Sequence, residues 1–183
     1  HISGLEKLPE EIDGLSMQLS PGSFVQNHHH QALRLYHCVL EVMKPLKHET
    51  ILDLYCGVGV LSLLLARSAR WVYGVERNPQ AISDAKLAAS LNRIGNIEFM
   101  AESCESMLTH WQTKNLLAHG VVLNPPRTGC QKEVLQAISR LKAERLVYIS
   151  CHPATLLRDL LLLQKLGFQM VEITPFDMFP QTY

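Results

Sequence analysis

The sequence predicts an α/β fold, a mostly parallel sheet with helices on both faces. Three observations predict it. Short apolar runs alternate with longer stretches of three- and four-residue periodicity, the pattern of strand, crossover, strand units. The 183 residues are 47% hydrophobic and 19% charged, which supplies the core of one ordinary domain. No internal repeat and no low-complexity tract interrupts the alternation.

Residues 1–27 hold Pro9, Pro21, Gly4, Gly14 and Gly22 with little periodicity, and are expected to be an extended lead-in from a missing upstream region. The domain proper is expected over 28–183. Leu33, Tyr36, His37, Leu40 and Met43 recur at helical spacing over 31–43, ahead of Pro45, so a helix is expected there. Strands follow at 51–55, 71–75, 97–100, 120–123, 146–149 and 168–174. Helices are expected over 60–68, over 79–92 with Asn78 as cap and Pro79 in its first turn, more weakly over 104–117, and then over 131–141 and 154–166. A final strand is missing from the pattern.

Lysine plus arginine (17) equals aspartate plus glutamate (17). A global basic field that draws a protein onto nucleic acid is therefore excluded, and any such affinity must be local. The five cysteines (Cys38, Cys56, Cys104, Cys130, Cys151) are odd in number and never spaced C-x-x-C, the pattern of separate reduced thiols rather than of disulfides or a metal centre. His28, His29 and His30 have no ligand partners at metal spacing and read as solvent-facing residues at a helix start. No apolar window reaches membrane-span length and no leader pattern opens the chain, so a cytoplasmic location is expected.

Chemistry-bearing residues gather where strands end. Asp53-Leu54-Tyr55-Cys56-Gly57-Val58-Gly59 sits at the first strand-to-helix turn, where Gly57 and Gly59 would let the backbone approach a ligand closely. The third glycine of a dinucleotide loop is replaced by Ser62. An acid ahead of the glycines suits a ligand with a cationic end, as S-adenosylmethionine has. Glu76, at the next strand's tip, is placed to accept ribose hydroxyls, and Glu102, past the third strand, to accept from an adenine amino group. Both are also readable as solvated strand ends, Glu102 more so than Glu76. Asn124-Pro125-Pro126-Arg127 is similar to the Asn-Pro-Pro-aromatic motif of enzymes that methylate exocyclic amines, but Arg127 removes the stacking ring. Cys151 follows the fifth strand with a helix immediately behind it, where a thiol's pKa can be lowered and a nucleophile belongs.

With these residues in place, the chain resembles the S-adenosylmethionine-dependent RNA 5-methyluridine methyltransferases. Five blocks carry the resemblance: 20–26 (SPGSFVQ), 53–59 (DLYCGVG), 124–127 (NPPR), 148–155 (YISCHPAT) and 176–182 (FDMFPQT). It implies a Rossmann-like class I methyltransferase fold over 28–183, with S-adenosylmethionine as cofactor and ribosomal or transfer RNA as partner. It also implies a thiolate at Cys151 that adds to carbon 6 of uracil. Gln26, Tyr55, Glu76 and Asn124 match cofactor-contacting positions. Phe24 matches a ring that stacks near a flipped-out base, and the Asn124 amide would also read the uracil edge. Many relatives carry aspartate at the position of Asn124 and asparagine at that of His152, and some carry asparagine at that of Val60. The family's general-base glutamate would fall beyond Tyr183, and its RNA-binding β-barrel and iron–sulfur cluster upstream of His1. The chain is thus expected to be a C-terminally truncated catalytic fragment. Two alternatives remain: an amine or small-molecule methyltransferase using Asn124, and a non-catalytic cofactor-binding module.

Overall fold

The computed structural model describes residues 7–26, 28–141 and 143–178. Five parallel strands form the central sheet in the order β5-β4-β3-β6-β7: β3 (Thr50–Leu54), β4 (Trp71–Glu76), β5 (Ile97–Ala101), β6 (Gly120–Leu123) and β7 (Arg145–Tyr148). Helix α1 (His29–Met43) leads in, and α2 (Val60–Ala66) and α3 (Pro79–Leu91) join β3 to β4 and β4 to β5. With these three helices pack Ile51, Val72, Phe99 and Val122 from one face of the sheet. After β5 the chain changes sides, and α4 (Cys104–Thr113), α5 (Lys132–Arg140) and α6 (Pro153–Lys165) cover Leu52, Leu54, Val75, Val121 and Leu123 on the other. The winding reverses between β3 and β6, and a doubly wound sheet opens a crevice at the carboxyl ends of its strands at such a point.

The cap expected at Asn78 is present, and the structure adds one at Ser103. Asn78 Oδ1 accepts from the Gln80 and Ala81 N–H groups at the start of α3, and Ser103 Oγ from the Ser106 N–H at the start of α4. The histidine run is spent on α1: His28 caps it, accepting from the Gln31 N–H, while His29 and His30 are exposed. No helix among the described residues is long and apolar enough to cross a membrane.

Two expectations need correction. The stretch read as an extended lead-in contains a hairpin, β1 (Leu8–Ile12) and β2 (Leu15–Leu19), closed by Asp13 and Gly14 at φ 51° and 71°. Positive φ at both central residues is what the type I′ two-residue hairpin turn requires. Leu15, Met17 and Leu19 are buried, β2 packs on α3, and Ser16 exchanges two hydrogen bonds with the Asn92 side chain. The second correction concerns residues 168–174, which form no strand. A strand exists only in a ladder, and among the described residues β7 pairs with β6 alone. With no ladder to join, Met170, Val171 and Ile173 stand exposed.

Candidate active site

Strand register brings most of the predicted residues to one edge. Leu54 pairs with Val75 and with Leu123, and Leu123 with Tyr148. Tyr55, Glu76, Asn124 and Cys151 therefore lie at or just past the carboxyl ends of four adjacent strands. The ladder runs slightly further, since the Cys56 N–H donates to Val75 O (3.0 Å), the Asn124 N–H to Leu54 O (3.2 Å) and the Ile149 N–H to Leu123 O (2.7 Å).

The loop after β3 is strained in a specific way. Tyr55, Gly57 and Gly59 have φ of 63°, 56° and 78°, a region glycine enters freely and tyrosine does not. The two glycines serve different ends. A Cβ at Gly57 would meet nothing within 4 Å, so its backbone lines open cleft. At Gly59 it would stand 2.6 Å from the Phe99 ring, and the Gly59 N–H is already spent on Cys56 O at 3.0 Å. At Gly59, glycine therefore also meets a packing requirement beneath the loop.

Glu76 is held at the cleft. Its Oε2 accepts from the Gly57 N–H at 3.3 Å and its Oε1 from the Asn78 N–H at 2.9 Å, which leaves each oxygen a free lone pair. Glu102 is exposed one strand over, its N–H bonded to Glu76 O. Asp53 lies underneath, 1% exposed, and Ser62 Oγ donates to its Oδ2 at 2.5 Å. Burial pushes the Asp53 carboxyl up from 3.8 to about 7, against the Ser62 hydrogen bonds and helped by nearby Glu76. The folded state therefore keeps this proton after the unfolded chain has lost it, so stability falls as pH rises from about 4 to about 7. Asp53→Asn removes that dependence. In denaturant titrations the variant should gain roughly 2–3 kcal/mol relative to the unsubstituted protein between pH 5 and pH 8; parallel curves would contradict it.

The thiols separate by environment. Burial raises Cys56 well above its ordinary value, Cys104 to about 12 and Cys130 to about 11. Cys151 is the exposed one of the five. It sits between the end of β7 and His152, the residue that caps α6. The Tyr55 ring turns under the loop after β6, beside Cys104 and Cys130, and burial raises its phenol. Asn124 is half-buried, whereas Pro126 and Arg127 are exposed.

Phe24 and Gln26 arrive from outside the sheet. Their segment is anchored by Asp84 on α3, a fully buried carboxylate that sequence reasoning missed. It accepts from Lys7 Nζ, from the Ser20 N–H and Oγ (2.8 Å each) and from Ser23 Oγ (2.7 Å). Gln80, in the first turn of α3, also donates to Ser20 Oγ, so the segment is tied to the carboxyl edge. Phe24 projects from it 69% exposed and Gln26 is half-buried. Of the block at 176–182, residues 179–182 lie outside the described residues. A cavity of about 450 Å³, lined by Arg34, His37, Cys38 and Glu41 of α1 and by residues 174–177, contains none of the predicted site residues.

Comparison with known proteins identifies the family of the chain. A family model described as tRNA (uracil-5-)-methyltransferase matches residues 6–183. An uncharacterized RNA methyltransferase of Bacillus cereus is 42% identical over 181 residues, covering 99% of this chain and 39% of the relative. One of Halalkalibacterium halodurans is 41% identical over 179 residues, 98% of this chain and again 39% of the relative. The chain thus spans well under half the length of these relatives. The crystal structure of Pyrococcus abyssi tRNA (uracil-54, C5)-methyltransferase in complex with S-adenosyl-L-homocysteine superposes with a TM-score of 0.81 at 31% identity, covering 98% of this chain and 42% of that one. By fold, by the order of its strand-end motifs and by this match over nearly its whole length, the chain belongs to the tRNA (uracil-5-)-methyltransferase family.

Proposed function

We propose that the intact protein is an S-adenosylmethionine-dependent RNA methyltransferase that acts on carbon 5 of a uridine in ribosomal or transfer RNA, with Cys151 as its nucleophile. The observation that carries this reading is the position of Cys151: an exposed thiol at the carboxyl edge of the sheet, one strand from Asn124, while burial holds Cys56, Cys104 and Cys130 protonated.

The residues present fit the cofactor. Gly57 leaves open space beside its backbone, and Glu76 keeps lone pairs free for ribose hydroxyls. Tyr55, Glu102, Asn124 and Gln26 complete the set assigned to it. S-adenosylmethionine, when bound, supplies an electrophilic methyl group. Carbon 5 of uracil is a poor nucleophile by itself. Addition of the Cys151 thiolate to carbon 6 moves electron density onto carbon 5, which can then take the methyl. Loss of the carbon 5 proton to a base restores the ring and expels the thiolate. Phe24, exposed on its anchored segment, is assigned to stacking near the flipped-out base, and the Asn124 amide to its edge.

The test is a mechanism-based trap. With RNA containing 5-fluorouridine, carbon 5 has no proton to lose, so the enzyme should stop as a covalent adduct that peptide mapping places on Cys151. An adduct that persists in Cys151→Ala would overturn the assignment.

The two glycines give a second check. Gly57→Ala should cost roughly 1 kcal/mol of stability for its positive φ yet weaken S-adenosylhomocysteine binding about tenfold or more by filling the cleft wall. Gly59→Ala should do the reverse, destabilising the fold by roughly 2–4 kcal/mol through overlap with Phe99. Thermal denaturation beside calorimetric titration separates the two, and equal effects at both positions would refute the distinction.

A further inference from the structure

The sheet aligns the roots of the Asn124 and Cys151 loops but not their tips, because ladder bonding between β6 and β7 ends at Leu123, Tyr148 and the single bond from Ile149. Beyond that, the two loops are joined through the first turns of α6. Thr155 Oγ1 donates to Arg127 O at 3.0 Å, and Arg158 Nη2 to Thr128 O and Cys130 O at 3.0 and 3.1 Å. Asp159 ties these together. Its Oδ2 accepts from the Cys130 N–H at 2.8 Å and from the Tyr148 hydroxyl at 2.6 Å, while its Oδ1 accepts from Arg158 Nε at 2.8 Å. The fit is close enough to exclude a side chain at Gly129, where a Cβ would lie 2.6 Å from both Arg158 Nη2 and Asp159 Oδ2.

Asp159 is 2% exposed on a helix otherwise rich in leucine. Burying a carboxylate is expensive, and an apolar residue of similar volume often serves stability as well. What an apolar residue could not do is bond the loop after β6 and the end of β7 at once. We propose that Asp159, acting through Tyr148 and the Cys130 backbone, is a positioning residue that fixes the separation of the Cys151 thiol from the Asn124 amide. The inference rests on the reading of Cys151 as nucleophile. It places the effect of Asp159 on the chemical step more than on cofactor binding, because Gly57 and Glu76 lie at the carboxyl ends of β3 and β4, on the far side of β6, and Asn124 is the one backbone position of the cofactor set on the loops that Asp159 joins.

The experiment compares Asp159→Asn and Tyr148→Phe with the unsubstituted intact protein. It follows kcat, KM for S-adenosylmethionine, affinity for S-adenosylhomocysteine, and the rate of adduct formation with 5-fluorouridine RNA. The expected result is that kcat and adduct rate fall together by about 10- to 100-fold while KM and affinity stay within about twofold, with Tyr148→Phe the milder variant. Tyr148→Phe removes only a hydroxyl and decides the matter if Asp159→Asn does not fold. The inference is overturned by adduct rates that match the unsubstituted protein, or by affinity for S-adenosylhomocysteine that drops in step with kcat, as general loosening would cause. If the unsubstituted protein methylates RNA but never forms the adduct, the nucleophile reading fails and takes this inference with it. Adduct formation by the unsubstituted protein with indifferent variants defeats the inference alone.

Discussion

Cys151→Ala in the intact protein is expected to lower methyl transfer to RNA by on the order of 10,000-fold or more, with S-adenosylhomocysteine affinity unchanged within about twofold. The size of the effect follows from the substrate. Without addition at carbon 6, carbon 5 has too little electron density to attack a methyl group, and orientation alone does not supply it. No neighbouring thiol can substitute, since Cys56, Cys104 and Cys130 are raised by burial and held under the loops. The unchanged affinity follows from place: Cys151 lies beyond β7, whereas Gly57 and Glu76 sit at β3 and β4. Single-turnover assays with labelled methyl donor read the first number and calorimetry the second. Transfer that survives Cys151→Ser nearly intact would point instead to amine or small-molecule chemistry at Asn124.

Asp84→Ala should have the largest effect on stability, a loss of roughly 3–4 kcal/mol. The substitution strands the Ser20 N–H, the Ser20 and Ser23 hydroxyls and the Lys7 ammonium together. Burial works to raise the Asp84 carboxyl, but Lys7, Ser20 and Ser23 outweigh it and hold it at about 2. A carboxyl depressed in the fold contributes stability that is complete above its unfolded value near 4 and is lost as pH falls through 2. Urea titrations at pH 7 and near pH 2 should therefore converge for Asp84→Ala and the unsubstituted protein only at the acid end. A gap that is constant with pH would contradict this account. Because residues 20–23 anchor the segment bearing Phe24 and Gln26, the same variant should raise KM for RNA.

Elements whose signal is local were legible in the sequence. The five parallel strands, the cap at Asn78, and the strand-end placement of Glu76, Asn124 and Cys151 follow from periodicity and turn chemistry within a few residues. The hairpin was legible too, in Asp13-Gly14 followed by alternating Leu15, Met17 and Leu19, but two prolines and three glycines masked it. Residues 168–174 show the converse: an apolar run with strand composition needs a partner, and composition does not say whether one is present. Asp84 and Asp159 were invisible for a different reason. Ser23, Ser20 and Lys7 lie 61, 64 and 77 positions from Asp84, and the partners of Asp159 beyond its neighbour Arg158 lie 11 and 29 away; only the fold brings those partners to a buried carboxylate. The packing of Gly59 against Phe99 was hidden for the same cause, since the two are distant in sequence and adjacent in space.

That Phe99 ring lies across Gly59 and also across Gly74, where an added Cβ would stand 2.5 Å from it. Three positions on three elements therefore share one fixed volume beneath the loop. Gly74 has an ordinary backbone conformation and Gly59 does not. Position 74 can consequently accept a methyl group if position 99 carries a smaller side chain than phenylalanine, an exchange that at position 59 still leaves the strain of its positive φ. Divergence at this spot should proceed by paired replacement, with the ring shrinking before the neighbouring strand gains a side chain.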